Sequence, residues 1–164
     1  MQPDAAAPRA GALKARALKK VRLITDGSCK GNPGPGGWAC LLKYDHHVKE
    51  MYGHEPHTTN NQMEIQAAIE GLRALREPCD VTVVTDSEYL KNGITKWMPN
   101  WKRRNWRTAT GDPVKNQEFW IELDKEAARH RTEWTWTKGH ASNEENNRCD
   151  ELAQQAVTLR ITKR

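Results

Sequence analysis

Three carboxylates stand at places that packing alone would not favour. Asp26 directly follows the run Val21-Arg-Leu-Ile-Thr25 and precedes a Gly/Pro-rich loop. Asp86 follows a second run, Val81-Thr-Val-Val-Thr85, and Glu64 falls in the first turn of an expected helix, beside its apolar stripe. A fourth acid, Asp150, lies among the apolar positions Cys149, Leu152 and Ala153. Taken singly, each is explained by an N-cap or a surface charge, and Glu64 near a helix start suits the helix dipole. Gathered in one cleft, they would repel one another and rise in pKa unless a cation neutralised them. Ligands that are all oxygen, with open positions, suit Mg²⁺ or Mn²⁺ rather than zinc. Two such ions ~4 Å apart can activate a water and stabilise the leaving oxygen of a phosphodiester.

Positioning these acids requires specific elements. Val21–Thr25 reads as a strand, and Trp38–Tyr44 and Val48–His54 as two more, joined by a turn at 45–47 in an antiparallel meander. Thr59-Asn-Asn-Gln62 fits a capping box. Beyond it Ile65, Ala68, Ile69, Leu72 and Leu75 repeat at helical spacing, which predicts a helix over 60–76, closed by Pro78. Val81–Thr85 is too apolar for an exposed edge and belongs in the sheet centre. A short helix over 87–93 follows, then an irregular Trp-rich stretch over 97–111. Asp112-Pro113 reads as an N-cap with proline at the first helical position, opening a helix to about His130. A strand over 132–138 and a final helix over 144–159 complete an α/β order, a mixed sheet with helices on its faces. If the first and fourth strands are parallel neighbours, Asp26 and Asp86 emerge side by side, where loops of an α/β sheet diverge. Asp150 can then join them from the last helix.

The 164 residues point to one domain. No stretch approaches the ~20 apolar residues of a membrane span, and residues 1–20 lack the apolar core of a secretory signal. That stretch reads as a flexible basic arm; Asp4 and two prolines argue against an organelle presequence. The folded domain is expected over 21–160. Cys29, Cys40, Cys79 and Cys149 form no C-x-x-C pair, consistent with reduced thiols in the cytoplasm. The net charge of +5 is unevenly spread: residues 1–22 carry +5, residues 91–107 carry +6, and the remainder is acidic. A basic tail and patch on an acidic body fit a polyanionic partner and a site that concentrates carboxylates.

Four segments stand out together: Thr25-Asp-Gly-Ser-Cys-Lys-Gly-Asn-Pro-Gly-Pro-Gly-Gly37, Thr58-Thr-Asn-Asn-Gln-Met-Glu64, Thr85-Asp-Ser87, and Gly139-His-Ala with Asn146-Asn-Arg-Cys-Asp-Glu-Leu-Ala153. They resemble the motifs of ribonuclease HI. Their order and spacing follow the family over about residues 21–158. The resemblance implies a ribonuclease H-like fold, a five-stranded mixed sheet flanked by helices. It implies endonucleolytic hydrolysis of the RNA strand of RNA–DNA hybrids. It implies that Asp26, Glu64, Asp86 and Asp150 bind two Mg²⁺ ions, with Mn²⁺ an alternative, and that products carry 5′-phosphate and 3′-hydroxyl ends. His140 matches the family's loop histidine, which assists proton transfer or product release. The other histidines, His46, His47, His54, His57 and His130, are expected at the surface.

The resemblance further implies hybrid contacts at Cys29, Asn32, Asn60, Asn61, Glu88 and Asn146, and a DNA-phosphate pocket at Thr59 with Asn32 nearby. Reading RNA requires reading the 2′-hydroxyl, both donor and acceptor. Glu88 stands where related enzymes often have glutamine, and a carboxylate can only accept. Residues 96–111 resemble the family's basic protrusion, with Trp97, Trp101, Lys102, Arg103 and Arg104 toward the DNA strand. Its cations would give affinity with little sequence preference, while at least two of Trp97, Trp101 and Trp106 are expected to form a local core. Two other classes share part of this pattern. DNA-cutting integrases and resolvases share the acidic fold but usually lack the Gly31–Gly37 loop and Gly139-His140. A non-catalytic hybrid-binding module would normally have lost a carboxylate, and all four are present. A monomer is expected, because the apolar stripes are used internally.

Overall fold

A computed structural model of the chain describes residues 17–138 and 143–164. Strand β1 (Lys19–Cys29) turns Val21 and Leu23 to one face and Ile24 to the other, all buried. A strand apolar on both faces belongs inside a sheet, and β1 takes the centre. It lies between β2 (Gly34–Tyr44), which pairs with β3 (His47–Thr58), and β4 (Cys79–Thr85), which pairs with β5 (Arg131–Trp136). The order is β3-β2-β1-β4-β5, with β1/β2/β3 antiparallel and β1/β4/β5 parallel.

One face of the sheet packs against helix α1 (Asn60–Ala74) and helix α4 (Gln117–Ala128), burying Ile65, Ile69, Leu72, Trp120 and Leu123 over Leu23, Val81 and Val83. Helix α5 (Glu144–Leu159) covers the other face, with Cys149, Leu152 and Ala153 on Ile24, Leu41 and Val84. Each large side chain so buried contributes about 1.5–3 kcal/mol. The chain passes from β4 through α2 (Glu88–Asn92), a π-helical turn (Gly93–Trp97) and α3 (Met98–Arg103). These elements form the root and body of a protrusion beside the cleft.

The elements expected from sequence are present; β2 and β3 reach beyond their expected bounds, to Gly34 and Thr58, and four further differences stand out. The first strand runs on to Cys29 because its far end pairs with Gly36–Ala39 of β2, although its pairing with β4 stops at Ile24↔Val84. It also begins at Lys19, inside the stretch expected to be arm. The 97–111 stretch is not wholly irregular: α3 carries Pro99 in its first turn, where a proline's missing N–H costs nothing. Asp112-Pro113 does not open a helix. Pro113 instead bridges to Arg107, Val114 is buried and donates to the Trp106 carbonyl at 3.1 Å, and α4 begins only after Asn116 in left-handed backbone (φ +60°).

His130 is buried, not at the surface as expected. Its Nδ1 accepts from the Cys79 amide at 3.1 Å and its Nε2 lies 3.1 Å from the Leu72 carbonyl, so a neutral ring satisfies two backbone groups. The chain's last residues also carry structure. After α5 they turn back at Arg160, pair Lys163 with Tyr52 on the edge of β3, and place Arg164 on Glu70 of α1.

Candidate active site

Strands β1 and β4 part at the switch point of the sheet: beyond Ile24↔Val84 one continues toward β2 and the other turns into α2. Side chains at both strand ends therefore face an opening rather than a neighbour. Asp26 and Asp86 occupy those ends. Glu64 comes from the first turns of α1, and the reason it reaches Asp26 is Gly27. A Cβ there would lie 2.6 Å from the Glu64 nitrogen and 2.7 Å from the Met63 carbonyl carbon. Only glycine lets the helix start sit against the strand. Helix α5 brings Asp150 to the same opening, one residue beyond the buried Cys149.

The result is a cleft of about 650 Å³ lined by Asp26, Glu64, Asp86 and Asp150. Carboxylate oxygens of Asp26, Glu64 and Asp86 lie within 4.8 Å of one another. Asp26 Oδ1 accepts from the Gly27 amide at 2.9 Å, and Asp150 Oδ2 from Gln154 Nε2 at 2.8 Å. Glu64 is 6% exposed, and its Oε1 is a buried oxygen with no hydrogen-bond partner. Leaving such an oxygen unmatched costs about 1–3 kcal/mol, more when it is charged.

Burial, with the charges of Asp86 and Asp150, pushes the Asp26 carboxyl up to about 8 against the opposing Gly27 amide. Burial, with Asp26 and Asp86, holds Glu64 well above the carboxylate range, and burial and Asp150 raise Asp86 as well. Clustered, oxygen-only, partly buried and partly unsatisfied, this donor set fits a hard divalent cation.

Among the other residues singled out by sequence, Asn60, Asn61, Glu88 and Asn146 line the same cleft. Asn32 approaches from the hairpin, its Oδ1 accepting from the Asn60 amide at 3.0 Å, and Thr59 caps α1 by accepting from the Gln62 amide at 3.1 Å. The Cys29 thiol faces the carbonyl of Gly31 in its own loop at 3.1 Å and that of Thr58 at the end of β3 at 3.4 Å. Trp97, Trp101, Lys102, Arg103 and Arg104 are not in the cleft but on the protrusion. The rings of Trp97 and Trp101 pack 5.7 Å apart, Trp101 lies 5.6 Å from Trp120, and Lys102 pairs with Asp124 at 3.1 Å. Gly139 and His140 lie outside the described residues.

Sequence reasoning passed over Tyr89 and Trp136. Tyr89 lines the cleft, and Trp136 donates from its indole to the Asp86 carbonyl at 3.2 Å, bracing the strand end. The register Thr85↔Trp136 places it there, and register is not visible in a single sequence.

Acids gathered at the switch point of this sheet make a donor set for a divalent cation, an arrangement that suits metal-dependent nucleases. The RNase H family model matches residues 18–158. A ribonuclease H of Solibacter usitatus is 61% identical over 85% of this chain and 96% of its own, and one of Hydrogenovibrio crunogenus is 56% identical over 85% and 97%. Among solved structures, LC9-RNase H1, a type 1 RNase H with the type 2 active-site motif, superposes with a TM-score of 0.82 at 30% identity, covering 90% of this chain and 76% of that one. The chain belongs to the RNase H family, and with it to the enzymes that hydrolyse the RNA of RNA–DNA hybrids.

Proposed function

We propose that Asp26, Glu64, Asp86 and Asp150 together hold two Mg²⁺ ions, with Mn²⁺ able to replace them. The hybrid's RNA strand is then cut endonucleolytically to 5′-phosphate and 3′-hydroxyl ends. The observation that carries this reading is a triad of carboxylate oxygens within 4.8 Å, contributed by Asp26, Glu64 and Asp86, together with a Glu64 carboxylate whose Oε1 is buried without a partner. Bound there, the ions would supply a water activated for attack and charge to stabilise the departing oxygen.

The chain's own residues do the rest. Asp26 and Asp86 hold their carboxylates at the strand ends, fixed by the Gly27 amide and by Trp136 against the Asp86 carbonyl. Asn60, Asn61 and Asn146 offer amides that both donate to and accept from a 2′-hydroxyl, while Glu88 can only accept. Thr59, at the start of α1, and Asn32, which accepts from the Asn60 amide out of the β1–β2 loop, take a phosphate of the DNA strand, and Cys29 shapes that loop. Lys102, Arg103 and Arg104, exposed on the protrusion, take further phosphates, with Trp97 and Trp101 as the base beneath them. His140 moves a proton or helps product leave.

The enzyme works as a monomer in the cytoplasm. Four free cysteines fit a reducing compartment. Among the described residues, the exposed large apolar side chains Val48, Ile121, Leu159 and Ile161 belong to β3, α4, α5 and the segment after it.

The metal reading has a direct test. Carboxyls raised by burial and mutual repulsion take stability away as pH rises from the ordinary carboxyl range toward 8, because their ionised forms are the costly ones. A bound cation removes that cost. Mg²⁺ therefore raises the melting temperature more at pH 8 than at pH 5, and Asp26→Asn abolishes most of the difference. An equal shift at both pH values, or one kept by the variant, would place the cation elsewhere.

A further inference from the structure

Between the cleft and the basic protrusion stands Tyr89, one residue past Glu88 at the start of α2. Its ring lies edge-on to Trp97 at 5.6 Å and tilted against Trp120 at 5.4 Å, so it joins the aromatic cluster at the root of the protrusion. Its hydroxyl accepts twice, from the indole N–H of Trp120 at 3.3 Å and from Asn116 Nδ2 at 3.0 Å. Asn116 in turn accepts from Gln62 Nε2 at 3.1 Å, and Gln62 Oε1 accepts from the Thr58 hydroxyl at 2.9 Å. Gln62 lies two residues before Glu64 on α1. One phenol thus ties α2, which leads into the protrusion, to α4 and, through Asn116, to the helix that carries a carboxylate of the cleft.

The surrounding packing leaves this joint little play. Trp120 is fully buried, and a Cβ on Gly93, at the first position of the π-helical turn, would meet its ring at 2.1 Å. The protrusion's root is pressed against the same indole that donates to Tyr89. Farther out the interactions are exposed: Lys102 to Asp124 at 3.1 Å, with Arg103 and Arg104 in solvent.

We propose that the Tyr89 hydroxyl is the joint that holds the basic protrusion at a set angle to the carboxylate cleft, making Tyr89 a positioning residue for hybrid binding. With the angle set, a hybrid seated in the cleft finds the protrusion's cations already at its DNA backbone. This rests on the reading of the protrusion as a phosphate-binding surface, and the two ideas separate in one experiment.

Affinity for a hybrid long enough to span cleft and protrusion is measured in EDTA, where no cutting occurs, from low to moderate salt. Four proteins are compared: the parent chain, Tyr89→Phe, the pair Arg103→Gln with Arg104→Gln, and all three changes together. Each is assayed well below its own melting temperature, so that all are folded. Each phosphate that the protein no longer neutralises lowers the slope of log affinity against log salt by ~0.7–0.9. Tyr89→Phe is expected to weaken binding about fivefold at low salt and to flatten the slope by the equivalent of about one phosphate contact. In that background the arginine pair loses less than it does in the parent. A role for Tyr89 in stability alone would lower the melting temperature and leave the slope unchanged. An unchanged slope with full additivity overturns the joint while leaving the phosphate surface standing. If the arginine pair has no effect even in the parent, the phosphate surface fails and the joint fails with it.

Discussion

The acid at position 26 and the glycine at 27 work as a unit. The carboxylate needs a neighbour to form a cation site, and the glycine lets that neighbour's helix come within reach. His130 shows opposite electrostatics in the same molecule. Burial lowers its pKa although the Leu72 carbonyl works to raise it, so the neutral ring is the native form. A group depressed in the folded state gives stability that is present above its unfolded pKa, near 6.5, and is lost as pH falls below it. Between pH 7 and pH 5 this loss runs against the gain from the carboxyls of the cleft. The two separate by difference: the parent's melting temperature falls relative to that of His130→Asn over this range, even though the variant is the less stable of the two at pH 7. A constant difference across the range would mean that His130 is not buried neutral. The sequence offered no sign of this role. A lone histidine carries no periodicity, and its partners, Leu72 and Cys79, lie more than fifty positions away.

Elements were legible where their residues repeat and illegible where tertiary contacts override local preference. The helix over 60–74 and the helix over 144–159 each carry an apolar stripe and a side-chain N-cap, Thr59 and Asn143, and both stand almost where their spacing puts them. All four acids stand out by position: Asp26 and Asp86 end apolar strands, where a charge needs a reason, and Glu64 and Asp150 sit beside the apolar stripes of their helices. The start of α4 was misplaced because Asp-Pro is a good local helix start, yet burial of Val114 holds that stretch against the Trp106 carbonyl instead. The tail after α5 has no period at all. It crosses the edge of β3, and Arg164 makes two hydrogen bonds to the 4%-exposed Glu70, at 2.9 and 3.0 Å, while lying 5.6 Å from the Trp38 ring centre. Burial works to raise Glu70, but Arg164 and Gln66 outweigh it and hold the carboxyl below its ordinary value. Because Arg164 is itself more than half exposed, its removal costs less than that of a fully buried partner. Arg164→Ala is expected to lower stability by about 1–2 kcal/mol in urea unfolding, with hybrid cleavage retained. A change within experimental error would show that the tail decorates the edge without holding it.

For the whole molecule, charge is divided by function. The cleft concentrates acids that repel one another and the protrusion concentrates cations, so on the proposed reading a polyanion is drawn to one side of a site whose acids a metal ion would neutralise. The sheet supplies the geometry: a single switch point between β1 and β4 aims two strand ends into one opening, and helices from both faces add the remaining acids. Composition foretold this division, but the joint between the two parts depends on contacts that no local pattern announces. The central claim, that the four clustered carboxylates cut RNA within a hybrid, is tested most directly by a cleavage assay. An end-labelled RNA–DNA hybrid is run beside duplex RNA and duplex DNA, with Mg²⁺ and with EDTA, for the parent chain and for Asp26→Asn. Cutting confined to the RNA strand of the hybrid, dependent on metal and reduced at least a thousandfold in the variant, on the order of a missing transition-state interaction of ~4 kcal/mol, is the predicted result. Hybrid cleavage that persists in EDTA, or at the parent's rate in Asp26→Asn, would contradict it.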